Sequence, residues 1–182
     1  MNLFFSPHND DETLFGAFTV QRERPLVVIV FDGYVQLLRG EKALMQQRRA
    51  ETLSAIDELG ALPPLFLGYR DDREVPESFA DNIRNLIERH RPEKVWAPAV
   101  EESGHAQHNT VGRVVHAVFP ATQHYMTYTR AFGKSRGVEV KPEPDMICRK
   151  LRALACYRSQ IEVENCRDHF LGDMREYYAP PS

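Results

Sequence analysis

Two short stretches of this chain gather side chains that carry chemistry: Ser6-Pro7-His8-Asn9-Asp10-Asp11-Glu12 and Gly104-His105-Ala106-Gln107-His108. Each follows an apolar run, Leu3-Phe4-Phe5 and Val95-Trp96-Ala97, and each leads into a helical pattern. Open α/β sheets hold their ligands at such carboxyl ends of strands. His8 and Asp11 are spaced i, i+3, so a helix that begins inside the first stretch turns both toward one point, as divalent-metal ligands require. Counting back three from Val111 puts His108 on the inward face of the second helix. His8, Asp11 and His108 offer two nitrogens and one carboxylate and leave a fourth position open, the pattern of a hydrolytic zinc. Asp10 stays free of that set. A simpler role is open to it, capping the helix while Glu12 favours the macrodipole. His90, His116, His124 and His169 stand outside both clusters and read as packing or surface residues.

The elements that must position these groups are legible as runs. Asn2 to Ser6 is a short apolar strand, and Leu14, Phe15 and Phe18 mark the buried face of a helix starting near Thr13. Leu26 to Phe31 is a continuous β-branched run without alternation, which predicts a parallel strand buried on both faces at the middle of the sheet. Glu41 to Leu59 reads as a long helix with Leu44, Met45, Ile56 and Leu59 on one side and Gly60 as its stop. Arg48 falls on that apolar stripe with Glu51 at its edge, and a buried arginine needs a partner, which Glu51 can supply. Pro64 to Leu67 is a third strand. Phe79, Ile83, Leu86 and Ile87 describe a helix that Arg91-Pro92 ends, and Val95 to Ala97 a fourth strand. After the helix carrying Val111, Val114, Val115 and Val118, Tyr125 to Thr129 reads as peripheral strand, and Ile147, Leu151 and Leu154 as a last helix ending near Tyr157. Beyond Ser159 the pattern fades. Strands alternating with helices predict a Rossmann-like three-layer α/β/α sandwich with a mostly parallel sheet, one domain over residues 1–182.

Composition narrows the classes. With 42% hydrophobic and 27% charged residues and a net charge of -3, the chain reads as an ordinary globular protein, with no basic tract for nucleic acid. The apolar start, Leu3 to Phe5, is too short for a signal segment or a membrane span, so a cytoplasmic location is expected. Cys148, Cys156 and Cys166 are odd in number and lack metal-site spacing, which points to free thiols in a reducing compartment.

The two clusters together resemble the PIG-L/LmbE family of zinc-dependent N-acetylglucosaminyl deacetylases. The resemblance covers about residues 3 to 160 and extends to Arg48-Arg49-Ala50-Glu51, similar to the family's Arg-x-x-Glu helix, and to Arg158-Ser159-Gln160, similar to its late Ser-Gln element. It implies His8, Asp11 and His108 as ligands of zinc or another divalent metal, and Asp10 as the general base. It implies His105 as the group facing the developing oxyanion, and Arg48 as a pocket residue that meets the acyl group. A purely structural ion pair is the competing role for Arg48. Glu12 and Glu51 read as supports behind the site. Asp32, Arg70, Asp71 and Asp72 follow strands at the active edge, where they could touch sugar hydroxyls or be solvated loop charge. Three positions depart from the family pattern: Asn9 replaces a common proline, Tyr157 a common histidine, and Gln107 an aspartate. Gln107 cannot supply the charge that keeps a nearby imidazole protonated, so His105 is expected to be neutral.

The function expected is zinc-dependent hydrolysis of an N-acyl group, acetyl above all, from a GlcNAc-type amino sugar or conjugate. Physically the residues support metal-assisted hydrolysis at an open strand edge, so another small amide is the nearest alternative. A metal-dependent phosphoesterase is next, although two-metal sites want more bridging carboxylates. A non-catalytic nucleotide-binding module fares worst, because the first strand-helix turn lacks Gly-x-Gly-x-x-Gly. The expected partner is a small sugar, with no nucleic acid and no membrane, and a homo-oligomer stays open.

Overall fold

The computed structural model describes residues 1–31, 41–71, 74–102, 104–127, 137–162 and 174–179. Their element order is β1 (Leu3–Ser6), α1 (Asp11–Glu23), β2 (Leu26–Phe31), α2 (Glu41–Glu58), β3 (Leu65–Tyr69), α3 (Phe79–His90), β4 (Val95–Pro98), α4 (Ala106–Val118), β5 (Gln123–Tyr125), β6 (Val138–Glu139), α5 (Pro144–Ala155), α6 (Arg158–Ile161) and β7 (Tyr177–Tyr178). The seven strands form one sheet in the order β3-β2-β1-β4-β5-β7-β6. β3, β2, β1, β4 and β5 run parallel, and β7 pairs antiparallel with β5 and β6. The order reverses between β1 and β4, and the two chemical clusters follow those two strands. In a doubly wound sheet this is the crevice where ligands bind.

Period-2 alternation divides the apolar residues between two cores. Phe4, Val27, Ile29 and Trp96 pack with Leu14 and Phe15 of α1, Ala55 and Ile56 of α2, Leu59 just past its end, and Ala153 and Leu154 of α5. Leu3, Phe5, Val28, Val30 and Ala97 pack with Phe79 and Ile83 of α3 and Val111 and Val115 of α4. The layers are those expected. Two glycines let the site-bearing helices lie close to the sheet. A Cβ on Gly16 would stand 2.2 Å from the Phe4 ring and one on Gly112 2.4 Å from the Pro98 carbonyl, so any side chain at these positions would push α1 and α4 off β1 and β4. No helix among the described residues is long and apolar enough to cross a membrane.

Two expectations are corrected. β2 is buried on both faces but stands second from the edge, because a continuous apolar run reports two covered faces and not a central place. The last helix forms, yet its inward face is not the one carrying Leu151, which is 50% exposed, while Lys150 is 1% exposed. Lys150 Nζ reaches Glu176 Oε1 at 2.6 Å and the Leu14 carbonyl at 2.9 Å, so a paired lysine takes the buried position. α6 and β7 lie where the pattern faded, and Tyr128 and Thr129 lie outside the described residues.

Candidate active site

α1 begins at Asp11, inside the first cluster, and His8 lies in the bend just before it, its backbone N–H donating to Asp11 Oδ2 at 2.9 Å. The result is a tight triangle: His8 Nδ1 to Asp11 Oδ2 3.1 Å, His108 Nε2 to Asp11 Oδ2 3.0 Å, and His8 Nδ1 to His108 Nε2 3.1 Å. Ligands of a tetrahedral zinc at ~2.0–2.1 Å stand about 3.3 Å apart, so the triangle has the size of one face of such a site. Its chemistry fits a cation as well, since three potential lone-pair donors face each other where only protons or a metal can separate them. Asp11 is held well below the usual carboxylate range: burial alone would raise it, and His108 and His8 overcome that. His8 is raised, because Asp11 and Gln107 outweigh a larger single effect, burial, that pulls it down. His105 also brings a ring nitrogen near, and the candidate ligand atoms of His8, His105 and His108 lie within 4.8 Å of one another. His105 is the exposed member, its ring 5.1 Å from that of His8 and 5.4 Å from that of His108.

Asp10 precedes α1 at φ 142, a conformation rare for a non-glycine residue and of the kind that clusters at active sites. Its side chain makes no capping bond, which removes the simpler role. Instead Asp10 Oδ2 lies 3.5 Å from Arg48 Nη2, and Arg48 also donates to the Asn9 carbonyl at 3.2 Å. Burial pushes Asp10 up and Arg48 pulls it back, leaving it at about 8.

Arg48 is 6% exposed, as its place on the α2 stripe implied, but its partner is Asp10 and not Glu51. The Glu51 oxygens accept from the Ser159 backbone at 2.9 Å and its hydroxyl at 2.6 Å, tying α2 to α6. Glu12 is fully buried and accepts from the Asp10 backbone at 3.2 Å, the Thr13 hydroxyl at 3.0 Å and the Tyr157 hydroxyl. Burial raises its carboxyl above the usual range. Glu12 thus stands against Asp10, Glu51 is taken up by α6, and Asp32 lies outside the described residues.

Three contacts had no clear signal in the chain. Asn9 is fully buried and its Oδ1 accepts from Thr52 of α2 at 3.1 Å, so a residue that reads as a mere turn former is anchored to that helix. His105 caps α4, its Nδ1 accepting from the Gln107 backbone at 3.3 Å, which leaves the ring proton on Nε2. Burial, His8 and His108 lower its pKa, in the direction expected. The reason given for that expectation needs correcting, because the Gln107 side chain turns to His8 instead of His105.

The family profile described as GlcNAc-PI de-N-acetylase, PIG-L, matches residues 3–119, more than half of the chain. No curated protein matches in sequence. Among solved structures, the N,N'-diacetylchitobiose deacetylase from Pyrococcus horikoshii superposes with a TM-score of 0.72 at 16% identity, covering 97% of this chain and 82% of its own. The zinc-inhibited form of teicoplanin deacetylase Orf2 gives 0.74 at 20% identity, covering 92% and 89%. GalB, the 4-carboxy-2-hydroxymuconate hydratase from Pseudomonas putida KT2440, gives 0.70 at 15% identity, covering 93% and 82%. These likenesses share the fold across deacetylases and a hydratase, so the fold by itself does not name a reaction. The profile match, which spans both clusters, does more: the chain belongs to the PIG-L family of de-N-acetylases.

Proposed function

We propose that this chain is a zinc-dependent deacetylase that hydrolyses the N-acetyl group of a GlcNAc-type amino sugar or sugar conjugate. One observation carries the reading: a buried carboxylate, Asp10, faces an arginine beside a three-donor cluster of metal-site size. The sugar part is supported by the family description and by the deacetylases among the structural neighbours. His8, Asp11 and His108 would hold the metal, and a divalent cation there would polarise the acyl carbonyl and acidify water.

The chain's own groups then divide the work. Asp10 takes a proton from the attacking water while its oxygen bonds to the acyl carbon. A carboxylate left at about 8 by burial and Arg48 binds and releases protons near neutral pH, the range a general base needs. His105 presents Nε2–H to the oxygen on which negative charge develops. When the C–N bond breaks, Asp10 returns its proton to the amine, giving carboxylic acid and free amino sugar. Arg48 and Glu12 hold Asp10 in place, one at its side chain and the other at its backbone.

The test is amine release from a panel of N-acetyl amino sugars, with metal stripped by chelator and restored with zinc. Zinc-dependent release of primary amine is expected. A protein that binds zinc yet releases amine from none of the panel would overturn the reading. The hydratase neighbour makes water addition the second reading, and an ultraviolet assay on an unsaturated carboxylate, without amine release, would favour it.

A further inference from the structure

The Gln107 side chain has two partners, and each contact determines the other. Gln107 Nε2 donates to the Asp71 carbonyl at 2.7 Å, and Gln107 Oε1 lies 2.6 Å from His8 Nε2. A carbonyl only accepts, so the amide nitrogen must face Asp71 and the amide oxygen must face His8. An amide oxygen also only accepts, so His8 Nε2 must carry a hydrogen. In the neutral ring this leaves the lone pair on Nδ1, the atom 3.1 Å from both Asp11 Oδ2 and His108 Nε2. The aspartate common at this position in the family could accept from His8, but an ionised carboxylate has no hydrogen for Asp71.

We propose that Gln107 is a positioning residue with two duties: it holds His8 in the Nε2–H tautomer that turns Nδ1 to the metal, and it latches the segment after β3 to the metal cluster. This rests on the metal half of the reading above and not on the substrate. Asp71, two residues past β3, stands beside the site, so the latch couples its placement to the ligand set. Partners behind a ligating histidine commonly change metal affinity about 10–100-fold.

Two variants of the full chain separate the duties. Gln107→Glu keeps an acceptor for His8 but sets an oxygen against the Asp71 carbonyl, whereas Gln107→Met keeps the length and loses both bonds. Zinc affinity is read by competition with a chromophoric chelator. The tautomer is read from the His8 ¹⁵N shifts, and the latch from amide hydrogen exchange at Tyr69–Asp71. Gln107→Met should weaken zinc about 10–100-fold and speed exchange. Gln107→Glu should speed exchange while holding zinc at least as tightly as the parent. Wild-type zinc protein should show His8 protonated on Nε2. Met-variant affinity equal to wild type, exchange unchanged in both variants, or a His8 proton on Nδ1 would overturn the inference. A wild type that binds zinc but releases no amine would sink the deacetylase reading and leave these readouts intact.

Discussion

The Arg48 guanidinium meets the Asp10 carboxylate at 3.5 Å with both side chains buried, joining α2 to the turn that opens α1. Burial raises the carboxylate most, and the helix that carries the arginine is the strongest influence pulling it back. Asp10→Asn retains shape and loses proton acceptance. Turnover should fall about 10²–10⁴-fold while zinc stoichiometry and melting temperature stay near wild type. A variant of ordinary rate but lowered melting temperature would return Asp10 to a structural role.

Arg48→Met removes the cation and keeps the apolar stem against the α2 stripe. A carboxylate that loses a neighbouring positive charge titrates higher. The acidic limb of the kcat/KM profile should move to higher pH, with activity at high pH less affected than at neutral pH. Limbs that superpose would mean that Arg48 serves only to close α2 on the sheet.

What the chain disclosed in advance was local. Both clusters, the α2 stripe holding Arg48 and the parallel sheet follow from spacings within one element, where physics needs no partner. Apart from the place of β2 in the sheet, the misreadings involve a distant partner. Glu51 goes to Ser159, 108 residues away, and Lys150 is inward because Glu176 meets it. Gln107 turns to His8 because Asp71, on the loop after β3, claims its amide nitrogen. No periodicity encodes these choices.

Asp10 also predicts how stability varies with pH when metal is absent. Its folded pKa is about 8, raised from an ordinary 3.8, so between these values the folded chain keeps a proton there that the unfolded chain has lost. Stability from this group is full below the unfolded value and is lost as pH rises toward the folded one. In urea unfolding of metal-free protein, the stability of wild type relative to Asp10→Asn should therefore fall from pH 5 to pH 8. Zinc nearby favours the charged carboxylate and should flatten that trend. A difference that does not vary with pH would contradict burial of this group.

The last prediction separates the two possible third corners of the metal site. His8 and His108 belong to either set, but Asp11 Oδ2 stands 3.0–3.1 Å from both, while the three imidazoles share only a looser grouping, their ligand atoms within 4.8 Å of one another, and His105 is exposed. Asp11→Asn replaces a charged ligand by a neutral amide that cannot balance a divalent cation, so zinc affinity should fall sharply. His105→Asn keeps an oxygen that can cap α4, so melting should change little, whereas His105→Ala should lose about 1 kcal/mol from the cap. Both His105 variants should bind zinc like wild type and lose turnover, because Nε2–H no longer meets the developing charge. If instead His105→Asn released the metal and Asp11→Asn kept it, the site would be a three-imidazole one. Asp11 would then serve as the hydrogen-bond acceptor that orients His8 and His108, and oxyanion stabilisation would have to come from another group.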